Sequence, residues 1–152
     1  MISEQLIVIQ CDIDDDTAEN LACFQQNALK SGARDCALLP VYMKKNRLGT
    51  RIEVLCKPEE AEFFQTMLLT QTTTIGFRVL QVERLSLPRN EVLVELQGCE
   101  IRCKAVYLQE QFLRLKPEHD DCLAAATALN QPVAAIKALA IESAMRKLKS
   151  ST

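Results

Sequence analysis

The sequence predicts an α+β fold: a β-α-β-β-α-β plait over residues 1–87, followed by a smaller subdomain of a β-hairpin plus helices over residues 88–152. Three observations carry this expectation. Short apolar or alternating runs at 6–13, 37–45, 51–56 and 77–85 are interleaved with two stretches of helical periodicity. Pro88-Arg89-Asn90 interrupts that pattern. Gln97-Gly98 then separates two further alternating stretches, as a hairpin turn does. An element order of this kind is that of the ferredoxin-like plait.

Taken in order, Leu6 to Ile13 is an apolar run that ends in acid and reads as a buried strand. Asp16 or Thr17 offers an N-cap to a helix whose apolar face is Leu21, Phe24, Ala28 and Leu29 and whose end is marked by Gly32. Ala37 to Lys45 reads as a second strand, and Asn46 to Gly49 as a turn in which Gly49 supplies positive φ. Arg51 to Cys56 is the third strand. Lys57-Pro58-Glu59-Glu60 opens a second helix, with Pro in the first turn and acids facing the dipole, and Phe63, Phe64, Met67 and Leu68 as its buried face. Gln71 to Gly76 is a Thr-rich break before the fourth strand, Phe77 to Leu85. Beyond Pro88, Val92 to Leu96 and Glu100 to Tyr107 form the hairpin, and Phe112 to Leu115 reads as a further short strand. Pro117 to Leu129 and Pro132 to Lys149 follow as helices, the second with Val133, Ile136, Leu139, Ala140 and Ile141 at helical spacing. The tail from Lys149 to Thr152 is expected to fray.

Composition narrows the function classes. The 152 residues carry a net charge of -2, so no basic field draws nucleic acid or an anionic membrane. Trp is absent and aromatics are 5 %, too few for a base-stacking platform. The seven cysteines are odd in number, form no C-x-x-C pair and mostly sit beside aliphatics, which suits free thiols in a reducing compartment. The Cys99 and Cys103 spacing admits a soft-metal pair, but strand alternation alone accounts for it. The N-terminus has no basic leader and no apolar run reaches about 18 residues, so neither a signal peptide nor a membrane span is expected and the chain is read as cytoplasmic.

Four constellations carry candidate chemistry. Asp12-Ile13-Asp14-Asp15-Asp16 closes the first strand. Its oxygen ligands suit Mg2+ or Mn2+, especially with a nucleotide phosphate completing the shell, and suit a solvated capping turn equally well. An EF-hand is excluded, because Thr17 and Cys23 stand where its Gly and Glu would be needed. Lys44, Lys45 and Arg47 beside Gly49 either cradle a polyphosphate or form a basic hairpin tip in water. Thr72, Thr73 and Thr74, with Gly76 and Arg78, either bind phosphate or ribose or cap a helix; no Walker A loop is present. Pro117 to Cys122 holds the only histidine, His119, in a stretch whose acids also suit a helix start. One histidine supports no Ser-His-Asp or Cys-His assignment, and no catalytic base is identifiable.

Taken together, Ile13-Asp14-Asp15, Ser31 to Asp35, Pro40 to Gly49 (Pro-Val-Tyr-Met-Lys-Lys-Asn-Arg-Leu-Gly), Val54-Leu55-Cys56, Thr72 to Arg78 (Thr-Thr-Thr-Ile-Gly-Phe-Arg), Lys104-Ala105-Val106 and Pro117 to Cys122 resemble the C-terminal domain of the LarC-type nickel insertion family. The matching stretches run in family order across about residues 6 to 140, and the Met-Lys-Lys-x-Arg-x-Gly and Thr-Thr-Thr-Ile-Gly-x-Arg pair is specific. The chain departs from the family's usual residues at Asp12, Asp16, Asn46, Leu48 and His119 and keeps Asp14, Asp15, Lys44, Lys45, Arg47 and Arg78.

The resemblance implies a CTP-dependent nickel chelatase that inserts nickel into pyridinium-3,5-bisthiocarboxylic acid mononucleotide, with this domain holding the metal–CTP. It implies Asp14 and Asp15 at an Mg2+ or Mn2+ ion. It implies Lys44, Lys45, Arg47, Arg78, Thr72, Thr73 and Thr74 at the nucleotide, and nickel as the substrate ion of the full-length protein. The implied partners are CTP, the nickel-pincer nucleotide precursor and an N-terminal nickel-handling domain or subunit; the domain alone is expected to be inactive. A homo-oligomer is expected, because the basic tip and the second subdomain have no evident covering layer. A non-catalytic ligand-sensing or assembly domain on the same fold is the alternative.

Overall fold

The computed structural model describes residues 1–150 and divides the chain into two compact units, Ser3–Arg84 and Met1–Ile2 with Leu85 onward. The expected mixed α/β character is observed, as two antiparallel sheets and four helices. In the first unit the elements run β1 (Ile2–Ile13), α1 (Ala18–Lys30), β2 (Asp35–Met43), β3 (Arg47–Cys56), α2 (Ala61–Gln71) and β4 (Arg78–Ser86). The sheet order is β2-β3-β1-β4. Strand β3 pairs antiparallel with β1 from Ile7↔Cys56 to Ile13↔Thr50, and with β2 from Asp35↔Leu55 to Met43↔Arg47.

Alternation in these strands builds one core. Ile7, Ile9, Cys11 and Ile13 of β1 and Ile52, Val54 and Cys56 of β3 share a buried face with Leu21, Phe24 and Ala28 of α1 and Ala61, Phe64, Met67 and Leu68 of α2. Helix α1 starts as its sequence suggests: the Thr17 side chain accepts from the Asn20 N–H at 3.1 Å. It stops at Gly32, whose φ of 101° lets the Ala33 N–H reach the Ala28 carbonyl. Helix α2 begins later than expected, because Pro58–Glu60 forms a separate 3-10 turn in which Glu60 accepts from the Lys57 N–H. Two residues expected in apolar helix faces lie outside, Leu29 at 46 % and Phe63 at 56 % exposure.

The turn between β2 and β3 corrects one expectation outright. Gly49 does not supply positive φ; Lys45 (63°) and Asn46 (57°) do, within a 3-10 turn over Lys44–Asn46. Strand β2 therefore ends at Met43, not Lys45, and β3 already begins at Arg47. Gly49 serves close packing: a Cβ there would lie 2.6 Å from both the Ile13 carbonyl oxygen and the Met43 sulfur.

The second unit pairs β5 (Arg89–Leu96), β6 (Cys99–Leu108) and β7 (Gln111–Pro117) in that order, with α3 (His119–Leu129) and α4 (Val133–Ser150). Gln97 and Gly98 both take positive φ, as the turn of a two-residue hairpin requires. A second such turn, Gln109-Glu110, joins β6 to β7 with two non-glycine residues at positive φ and has no sequence signal. Val94, Ile101 and Cys103 pack against Cys122, Ala125, Ala126, Ile136, Ala140 and Ala144. Leu139 and Ile141, expected on the apolar face of α4, are exposed, because Ile136, Ala140 and Ala144 set that face. Helix α4 continues through Ser150 rather than fraying from Lys149; Ser151 and Thr152 lie outside the described residues.

The acids of Pro117 to Cys122 are structural. Arg102 of β6 donates from Nε and Nη2 to Asp121 at 2.8 Å each, and its backbone N–H adds a third bond at 3.0 Å. Lys104 pairs with Glu118, and the exposed His119 opens α3. The Arg102 guanidinium holds the Asp121 carboxyl down to about 2.

Two outcomes follow from this packing. Gly49→Ala should cost roughly 1–3 kcal/mol, because a strand carbonyl must shift to admit the methyl group. A urea midpoint equal to wild type would contradict the close approach. Asp121 stabilises the fold through a depressed pKa, so its contribution is present above the ordinary carboxyl value of 3.8 and is lost as pH falls through about 2. Asp121→Asn should therefore lower the urea midpoint at neutral pH, with the gap to wild type closing between about pH 4 and pH 2. A gap as wide at pH 2 as at neutral pH would show that the pair is not its source.

Candidate functional site

The antiparallel register brings the ends of four strands of the first unit together. The turn Asp14-Asp15-Asp16 leaves β1, the turn Lys44–Asn46 joins β2 to β3, the loop Thr72 to Phe77 leaves α2, and Arg78 opens β4. The three segments singled out by residue type between Asp12 and Arg78 thus meet at one edge of one sheet, while His119, in the fourth, lies in the other unit.

The groups interlock. Arg47 Nη1 donates to Asp14 Oδ2 at 2.9 Å. Thr73 Oγ1 donates to Asp15 Oδ1 at 2.6 Å, and the Thr73 N–H reaches Asp16 Oδ2 at 3.3 Å. Asp16 also accepts from the Asn20 side chain and so secures the start of α1. Strand β1 stops at Ile13, and the two acids after it take different partners: Asp14 meets the basic turn and Asp15 the threonine loop. Of the threonines, Thr72 turns back to the Leu68 carbonyl at 2.8 Å and Thr74 to Gly76, so Thr73 is the one whose hydroxyl engages the acids. Lys44 and Lys45 are exposed and form no ion pair among the described residues.

Beside this cluster runs a second network, on the sheet face opposite the core. Asp12 pairs across the strands with Arg51, which donates from Nε at 2.6 Å and from Nη2 at 3.0 Å. Arg78 Nη2 adds a bond to Asp12 at 3.0 Å while its Nε reaches Gln10 Oε1 at 2.9 Å, and Gln10 in turn donates to Glu53 at 2.6 Å. Arg51 above all, with Arg78, holds the Asp12 carboxyl down to about 2. An open cleft of about 320 Å³ is lined by Gln10, Cys11, Asp12, Met43, Gly76, Phe77 and Arg78. A smaller one of about 200 Å³ borders Asp14, Asp16 and Gly49. The Cys11 thiol is pushed up by burial, which keeps it protonated and unreactive.

Gln10, Arg51 and Glu53 were not evident as site residues from sequence. Their residue types are unremarkable, and only the register, Gln10↔Glu53 and Asp12↔Arg51, reveals two complementary cross-strand pairs. Strand alternation was the available signal: Gln10 and Asp12 must face away from Ile9 and Cys11.

Asp14 and Asp15 are hard oxygen ligands of the type Mg2+ and Mn2+ prefer. Among the described residues no three His, Cys, Asp or Glu side chains are grouped to hold a metal. Asp14 and Asp15 by themselves therefore do not form a resident protein cage among the described residues.

Residues 1–137 match the family described as nickel insertion protein. A pyridinium-3,5-bisthiocarboxylic acid mononucleotide nickel insertion protein of Staphylococcus epidermidis is 34 % identical over 125 residues, covering 82 % of this chain and 32 % of that protein. A putative nickel insertion protein of Rhodopirellula baltica is 37 % identical over 119 residues, covering 78 % and 30 %. The chain thus spans about a third of the length of the curated relatives it matches. Among solved structures, LarC2, the C-terminal domain of a cyclometallase involved in the synthesis of the NPN cofactor of lactate racemase, superposes with a TM-score of 0.84 at 26 % identity, covering 93 % of this chain and 98 % of LarC2. A protein of Methanopyrus kandleri shares the fold at a TM-score of 0.62 and 21 % identity. On these matches the chain belongs to the nickel insertion protein family.

Proposed function

We propose that this chain is the metal–nucleotide-binding domain of a nickel chelatase that loads nickel into pyridinium-3,5-bisthiocarboxylic acid mononucleotide at the expense of CTP. The observation that carries the reading is the convergence of Asp14 and Asp15, Lys44, Lys45 and Arg47, Thr73 and Arg78 at one sheet edge. CTP carries about four negative charges at neutral pH, and a site must offset them. In this reading Lys44, Lys45, Arg47 and Arg78 meet the phosphates, and Asp14 and Asp15 would hold an accompanying Mg2+ or Mn2+ ion. Such an ion would supply positive charge that offsets part of the charge on the phosphates. The protein's part is to hold and orient the phosphates, for which positioning and charge neutralisation suffice without a protein base.

The reading includes a ferredoxin-like plait for the first unit, supported by the strand order β2-β3-β1-β4. It includes an N-terminal nickel-handling domain or subunit, supported by the fraction of the relatives' length matched. A homo-oligomer and a cytoplasmic setting belong to it too. The seven free thiols favour a reducing compartment, and no single helix among the described residues is long and apolar enough to cross a membrane.

Titration calorimetry with CTP, with and without Mg2+ or Mn2+, tests the reading. Metal-dependent binding is expected. Arg47→Ala should weaken it by about 1–2 kcal/mol, less than a fully buried pair would lose because Arg47 is largely exposed. Replacing Asp14 and Asp15 together by Ala should abolish the metal dependence and leave the fold intact. Preference for a different metabolite would favour a sensing module, and no ligand at all an assembly domain.

A further inference from the structure

We propose that Asp14 is an intramolecular stand-in for phosphate: it occupies Arg47 until a divalent cation takes the carboxylate, so that the site rejects metal-free polyphosphates. This rests on the metal–nucleotide reading above and concerns how that same site is regulated. Three groups offered to the anion already hold a carboxylate, Arg47 through Asp14, Thr73 through Asp15 and Arg78 through Asp12. A bare triphosphate must break such pairs and then sit beside the acids it has uncovered. A metal–triphosphate brings the charge that the acids need, so the pairs exchange rather than break: carboxylate to cation, guanidinium to phosphate. Binding of cation and anion is then coupled, and the coupling is reciprocal.

Asp14 is the acid best placed to exchange. Asp12 is fixed within a strand pair by two bonds from Arg51 and one from Arg78. Asp16 is tied to Asn20 at the start of α1 and holds no cation. Asp14 lies just beyond the end of β1, has Arg47 as its one cationic partner among the described residues, and its side chain is 22 % exposed against 60 % for Arg47. Turning away from Arg47 disrupts no strand pairing. Arg47 itself follows the turn in which Lys45 and Asn46 take positive φ, which sets the guanidinium over the acid turn.

The test is calorimetry with CTP in excess EDTA and, separately, CTP with Mg2+, on the whole chain. Asp14→Asn should bind metal-free CTP about threefold to tenfold more tightly than wild type, and should lose most of the gain that Mg2+ confers. Glu19→Gln removes a like charge from an exposed residue in the first turn of α1 that holds no cation among the described residues, so its metal-free affinity should change by less than about twofold. Adding Arg47→Gln to Asp14→Asn should return the metal-free affinity to the wild-type level. If wild type binds Mg2+–CTP but Asp14→Asn gains no metal-free affinity, or gains no more than Glu19→Gln, the exchange is wrong and the nucleotide reading stands. If wild type does not bind Mg2+–CTP at all, the nucleotide reading fails and takes the exchange with it.

Discussion

The antiparallel pairing of β1 with β3 governs both what this molecule buries and what it offers to a ligand. In the register that sets Ile9 against Val54 and Asp12 against Arg51, one face of the two strands is aliphatic and the other carries two complementary polar pairs. A slip by one residue would turn Ile7, Ile9 and Ile13 towards water and carry Asp12 into the helix-covered core. The contact between Gly49 and the Ile13 carbonyl belongs to the same constraint, since it lets the start of β3 lie against the end of β1. The basic turn before β3 is thereby held beside the acidic turn after β1.

A carboxylate clamped by an arginine and held near a pKa of 2 occurs twice, as Asp12 with Arg51 and as Asp121 with Arg102. A depressed pKa alone therefore does not mark a functional site in this protein. Surroundings separate the two. Arg102 and Asp121 join a strand to the start of the helix that packs on it. Asp12 shares its second oxygen with Arg78 at the wall of an open cleft, next to a loop whose Thr73 engages Asp15, in a unit that also presents the exposed Lys44 and Lys45. Acids and bases nearly balance within the cluster, and the chain as a whole carries a net charge of -2 and so no strong field.

Much of the fold was legible in sequence because its signals are local. An apolar run at 6–13 and alternation at 51–56 and 77–85 mark strands of the first unit, Asp16 or Thr17 and Gly32 bound α1, and Gln97-Gly98 marks the first hairpin. The errors share a cause, which is that local chemistry underdetermines backbone geometry. Glycine at position 49 suggested a turn, yet the positive φ angles fall on Lys45 and Asn46, and two non-glycine residues make the Gln109-Glu110 turn. Phe63, Leu139 and Ile141 suit an apolar face by residue type, but helix rotation is set by what packs opposite, and smaller residues such as Ala140 and Ala144 took the buried positions.

The sequence by itself determined which groups could do chemistry: the acids from Asp12 to Asp16, the cations from Lys44 to Arg47, the threonine run and Arg78, together with the family resemblance they carry. Tertiary structure alone decided that these segments, up to 66 positions apart between Asp12 and Arg78, share one sheet edge, and that Gln10, Arg51 and Glu53 join them. The physical reason is that residue type is a property of one position, whereas an ion pair is a property of register. Opposite charges meet only where strand pairing and turn geometry put them within about 3 Å, and no local pattern in the chain encodes that distance.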